Sequence, residues 1–172
     1  MGNQKSLFGS AVISSCELYR YRLDRHIGEG KTFAYFGINP STACADIDDA
    51  TVRKWIGFTR RNGGGRFIVG NVFAYRSTDV KGLGVVADPI GPQNDDYLKE
   101  IINEADVLVP CWGKTGKVPS RLRYRILDVI FLLMQHDKPL LCFGVNADSS
   151  PRHPLMLSYE TELIKWEGKS DE

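Results

Sequence analysis

Two short stretches concentrate groups able to bind and polarise a ligand: Gly37-Ile38-Asn39-Pro40 and Pro151-Arg152-His153-Pro154. An amide offers both a donor and an acceptor, a neutral imidazole one of each, and a guanidinium a fork of donors for anions. Two further stretches have the same character. Asn71 to Thr78 and Trp112 to Lys117, like Asn39 to Ala45 and Gly144 to Ser158, are rich in glycine, proline, hydroxyls, amides or arginine, which do not build cores.

Better-known chemical motifs fail here. Gly113-Lys114-Thr115-Gly116-Lys117 resembles part of a phosphate-binding P-loop, but Leu108 stands where the first glycine belongs, and in the other frame Val118 replaces the required hydroxyl. Gly63-Gly64-Gly65 follows a helix instead of preceding one, so it reads as a stop and turn. Asp46, Asp48 and Asp49 offer hard oxygens to a magnesium ion, but helix capping accounts for two of them. His26, His136 and His153 are not spaced as metal ligands, and no Gly-x-Ser-x-Gly elbow occurs. Neither a metal nor a cofactor is expected.

The elements that must carry these loops alternate. A strand is expected over Leu18 to Asp24, at an edge, with Tyr19, Tyr21 and Leu23 on one face. Buried strands follow at Phe33–Ile38, Phe67–Val72, Val107–Val109 and Leu140–Phe143. Between them, Asp48 or Asp49 caps a helix through Val52, Trp55, Ile56 and Thr59 that stops at Asn62-Gly63. Asn94 opens a second helix, and Pro119 the first turn of a third whose inner face is Leu122, Ile126, Val129, Ile130 and Leu133. Buried strands alternating with helices predict an α/β fold: a three-layer α/β/α domain over residues 1–172 with a mainly parallel four-stranded sheet. In such sheets ligands bind beyond the carboxyl ends of the strands, where the four loops fall.

With 172 residues, 42% of them hydrophobic, the chain can bury roughly two thirds of its unfolded surface in one core. Its 22 basic and 21 acidic residues nearly cancel, so any polyanion must be met by a local patch. Cys16, Cys44, Cys111 and Cys142 form no Cys-x-x-Cys pair and read as reduced, buried thiols. No stretch is long and apolar enough for a membrane span, and a cytoplasmic monomer is expected.

Taken in order, the four loops resemble those of the uracil-DNA glycosylase superfamily. Gly37-Ile38-Asn39-Pro40 resembles the first motif of the mismatch-specific branch, Asn71 the asparagine that reads the extruded base, Trp112-Gly113 a pair ending the third strand, and His153 to Ser158 the His-Pro-Ser-Pro-Leu-Ser loop of the uracil-specific branch. Asn39-Pro40-Ser41-Thr42, Asn71 to Arg76, Gly91 to Asp95 and Pro151 to Leu155 are more similar still to the family of domain of unknown function 1643, over about residues 18 to 160.

The superfamily resemblance implies a metal-independent N-glycosylase acting on a pyrimidine base, plain or modified, in DNA. Asn39 would orient the attacking water and His153 would stabilise charge on the departing base. Gly37, Ile38, Ser41, Asn71 and Phe73 would form the base pocket, Phe73 by stacking. Thr42, Arg76, Arg121, Arg152 and Ser158 would meet phosphates. Ser41 stands where the uracil-specific branch carries a tyrosine, which implies room for a wider base. Each residue also has a structural reading: Asn39 and Asn71 as turn formers, His153 bonding a loop carbonyl, Phe73 in the core, and Arg76 and Arg152 as solvated charges. A module that binds a nucleotide or modified base without chemistry, and a hydrolase or transferase acting on a free nucleotide, remain as alternatives.

Overall fold

The computed structural model describes residues 9–41 and 43–169. Strands β1 (Gly9–Ile13), β2 (Arg20–His26), β3 (Lys31–Gly37), β4 (Gly64–Asn71) and β5 (Val107–Pro110) form one sheet in the order β1-β2-β4-β3-β5. The sheet is mixed. β4, β3 and β5 run parallel, whereas β2 pairs antiparallel with both β1 and β4. The expectation of a mainly parallel sheet is thereby corrected. So is the edge position of the first predicted strand: β1, a half-polar stretch unremarked in the sequence, takes the edge, and β2 lies inside.

Helices α1 (Ala50–Arg61), α2 (Asn94–Glu104) and α3 (Tyr124–Met134) connect the strands. Period-two alternation along β3 sends Phe33 and Tyr35 into a cluster with Val52, Trp55 and Phe58 of α1, and Ala34 and Phe36 into a second with Leu98, Ile101 and Ile102 of α2 and Ile126 and Val129 of α3. The sheet is thus buried on both faces. α1 begins where expected, because the Asp49 carboxylate accepts from the amide of Val52 (2.9 Å), and it ends at Asn62 before Gly63 with φ +74°. α3 starts later than Pro119 suggested; Ser120–Leu122 is a separate 3-10 turn.

The last predicted strand is also corrected. Only Leu140 bridges to Leu108 in parallel, while Leu141–Cys142 (β6) pairs antiparallel with Ile164–Lys165 (β7) in a small second sheet. The amide of Leu108 reaches the carbonyl of Pro139 (2.9 Å), and the next amide on that side of β5 would belong to residue 110, a proline. Without that donor the ladder cannot continue.

The charges of Arg22, Asp24 and Arg25 on β2 are paired within the protein. Arg22 grips Asp24 (2.6 Å) and Glu104 (2.7 Å), Arg66 reaches Asp24 (2.7 Å), and Arg25 pairs with Asp48 (2.8 Å). Removing one partner from such a set leaves a buried charge uncompensated, so these pairs fix the strand's register. All four cysteines are free; Cys111 and Cys142 are buried and Cys44 is half-buried, but Cys16 is exposed, against expectation.

Candidate functional site

Chain order around β3 creates the crevice. From β3 the chain passes through α1 to β4 on one side, then through α2 to β5 on the other, so the loops leaving the carboxyl ends of β3 and β5 diverge. Gly37 and Asn71 end their strands as register partners. Beyond them the two loops stay joined: the Val72 amide donates to Gly37 and the Phe73 amide to Ile38, both at 2.9 Å.

Asn71 is 3% exposed, and its Nδ2 has no hydrogen-bond partner. Such an orphaned donor is costly in a native interior. Its backbone is braced from below by Asn94, whose Nδ2 donates to the carbonyls of Asn71 (3.0 Å) and Val72 (3.2 Å). Asn39 is held differently. Its Nδ2 donates to the carbonyl of Ser77 (2.7 Å) and to that of Pro40 (3.2 Å). Only an NH₂ group satisfies two carbonyls, so the amide's orientation is fixed and Oδ1 is left to accept from something else.

Ser41 donates to Asp49 Oδ2 (2.9 Å), tying this loop to the start of α1. The charge of the same carboxylate is felt at His153 on the other chemical loop. His153 is half-buried over Gly113, where a β-carbon would lie 3.2 Å from its own Cβ. Gly113 has φ +80°, and its amide donates to Pro151 (2.9 Å), seating one loop on the other. Burial pushes the imidazole pKa below its usual 6.5, with Asp49 opposing only partly. Nδ1 accepts from the Leu155 amide (3.2 Å), so the neutral ring carries its proton on Nε2.

The remaining expected residues divide. Ile38 is half-buried against the core. Phe73 is fully buried in the α2 and α3 cluster and presents no face for stacking. Arg76 is half-buried and lines a hollow of about 370 Å³ with Glu17, Leu18, Ser41, Ser77 and Thr78. Arg152 is exposed, packed along Gly144. Exposed Ser158 accepts from Glu160 in a local turn (3.2 Å). Arg121, on the turn before α3, donates to the Gly84 carbonyl. Thr42 lies outside the described residues. Asp48 and Asp49 are occupied by Arg25 and by the α1 cap.

Sequence reasoning missed Arg20. It is 3% exposed and sends Nη1 to the Ala43 carbonyl (2.7 Å) beneath the Ser41 loop. Its signal was an arginine alternating with Tyr19 and Tyr21.

Fold and crevice together define an α/β protein that gathers amide, imidazole and guanidinium groups beyond parallel strand ends. Residues 20–155 match the family described as protein of unknown function (DUF1643), and the chain belongs to that family. No curated protein and no solved structure matches the chain.

Proposed function

We propose that the chain is a uracil-DNA glycosylase-like hydrolase, with that superfamily's three-layer architecture, that cleaves the N-glycosidic bond of a pyrimidine base in DNA without a metal. The observation that carries this reading is Asn71: a buried amide with an unused donor, at the strand ends, suited to a base edge that offers both donors and acceptors. Asn39 Oδ1 accepts a hydrogen bond from the water that attacks C1′. The water oxygen bonds to C1′ as the C1′–N electron pair leaves with the base, and the Nε2–H of His153 donates to the base oxygen on which charge develops. The water's proton passes to solvent, from which the released base anion regains one. Since Asn39 cannot take a proton as a carboxylate would, catalysis rests on positioning and the rate is modest.

The test is mass spectrometry of bases released from oligonucleotides carrying normal, deaminated and modified pyrimidines. Release by wild type, lowered on the order of 100-fold in Asn39→Ala and His153→Ala, is expected. No release from any substrate would sink the proposal and leave a binding module of the same fold.

A further inference from the structure

Arg20 and Arg76 are neighbours by register. The Arg20 amide donates to Ala74 (3.0 Å) and the Arg76 amide to Leu18 (2.9 Å), so this antiparallel junction sets residues 20 and 74 opposite one another, and likewise 18 and 76. Positions 20 and 76 therefore share a face as diagonal neighbours, with β-carbons about 7–8 Å apart.

Their guanidinium groups are under-used. Among the described residues Arg20 makes one side-chain hydrogen bond, to Ala43, and Arg76 one, to the Glu17 carbonyl (3.2 Å). Nε of each is buried without a partner. Arg25, also felt by Arg20, is paired with Asp48. Asp49 is the other nearby carboxylate acting on Arg20, and it is engaged by the α1 cap and by Ser41. Burial and the like charges of Arg76 and Arg25 lower the Arg20 pKa to about 10, which still leaves it cationic at neutral pH. In the interior three guanidinium groups, Arg20, Arg25 and Arg76, thus face two carboxylates, Asp48 and Asp49, and Arg76 carries that positive charge to the wall of the hollow of about 370 Å³. Exposed Glu17 is the acidic side chain on that rim, where solvent screens it. Asn39 adjoins the same hollow through its bond to the Ser77 carbonyl.

We infer that Arg76, on the wall of the hollow beside Asn39, and Arg20, buried next to it, form a phosphate subsite, so that the substrate enters with a phosphate group seated there. This rests on the glycosylase reading for what lies next to the phosphate, but not for the anion itself. Guanidinium donors that the protein leaves unused match phosphate oxygens in geometry and in charge. The phosphate belongs either to a mononucleotide or to the DNA backbone.

Isothermal titration at fixed ionic strength tests it, using the full chain with inorganic phosphate, deoxyuridine 5′-monophosphate, deoxyuridine and a short deoxyuridine-containing oligonucleotide. Saturable phosphate binding is expected, weakened at least tenfold in Arg20→Met and in Arg76→Met. Deoxyuridine 5′-monophosphate binding more tightly than deoxyuridine identifies a mononucleotide source; enhancement confined to the oligonucleotide identifies the backbone. No saturable phosphate binding to wild type, or equal binding by the variants, overturns the inference. Should Arg20→Met not fold, Arg76→Met, altering a half-buried side chain with one weak bond, decides alone. Arginine-dependent phosphate binding without base release upholds the subsite and sinks the glycosylase reading. Base release that persists unchanged in both variants, with no phosphate binding, does the reverse.

Discussion

A β-carbon placed on Gly37 would stand 2.8 Å from Oδ1 of Asn71, its register partner on the adjacent parallel strand. The glycine therefore exists for the amide: closing that gap requires Asn71 to move. Gly37→Ala is expected to lower base release at least tenfold, because the group that reads the base is displaced, while costing about 1–3 kcal/mol of stability through overpacking. Paired activity and denaturation measurements check this. Full activity in a folded Gly37→Ala protein would remove Asn71 from recognition.

Asn39→Asp separates positioning from general-base catalysis. A carboxylate in this place would face the carbonyls of Ser77 and Pro40 with no proton to give them, although the asparagine now donates to both. The substitution should cost about 1–3 kcal/mol from lost and repulsive contacts, and base release should fall, not rise. A gain in rate, measured on the same oligonucleotide, would show that the loop turns to accommodate a base.

Much of this site was legible beforehand because its loops sit on elements with strong local signals. Asp49 caps α1 as its position before an apolar face implied, and Gly37 and Asn71 close strands whose apolar runs were unmistakable. What escaped was tertiary. Nothing local in Arg20-Tyr21-Arg22-Leu23-Asp24-Arg25 says that its charges find partners on α2, β4 and the Asp48 loop, so an inner antiparallel strand looked like an edge. Phe73 fell to the core instead of the crevice, because which way a side chain turns after a strand end depends on the packing of α2 and α3 below it. The stop at Pro110 was readable as a rule, but only once β6 was known to lie on that side.

The pH dependence of stability reports on His153. Its folded pKa is depressed by burial below the 6.5 of the unfolded chain, so the native state favours the neutral ring. Between those two values the unfolded state binds more protons, and stability rises with pH. The contribution is therefore present above about 6.5 and is lost as pH falls below it. Protonation also takes away the Nδ1 acceptor that holds the Leu155 amide. Denaturation midpoints should fall as pH drops from 7 toward 5, with a shallower fall in His153→Gln. An identical slope in the variant would mean that another group controls this range.

Ser41 is half-buried beside the hollow, and among the described residues its side-chain bond is to Asp49 (2.9 Å). A tyrosine here would narrow both the crevice and the hollow proposed to seat phosphate, a cost shared by every DNA substrate, and would release the Asp49 oxygen while leaving the α1 cap on Oδ1 intact. Because one end of Asp49 still holds the helix, the expected loss of stability is small, about 1 kcal/mol for one hydrogen bond. The larger effect should be on choice of base: if the small residue is what admits a substituted pyrimidine, Ser41→Tyr lowers release of bulky bases relative to uracil by 10-fold or more, about 1.4 kcal/mol of discrimination. Competition between uracil-containing and 5-substituted oligonucleotides in one reaction measures that ratio directly. An unchanged ratio would show that position 41 does not limit the pocket and that substrate width is set elsewhere along the crevice.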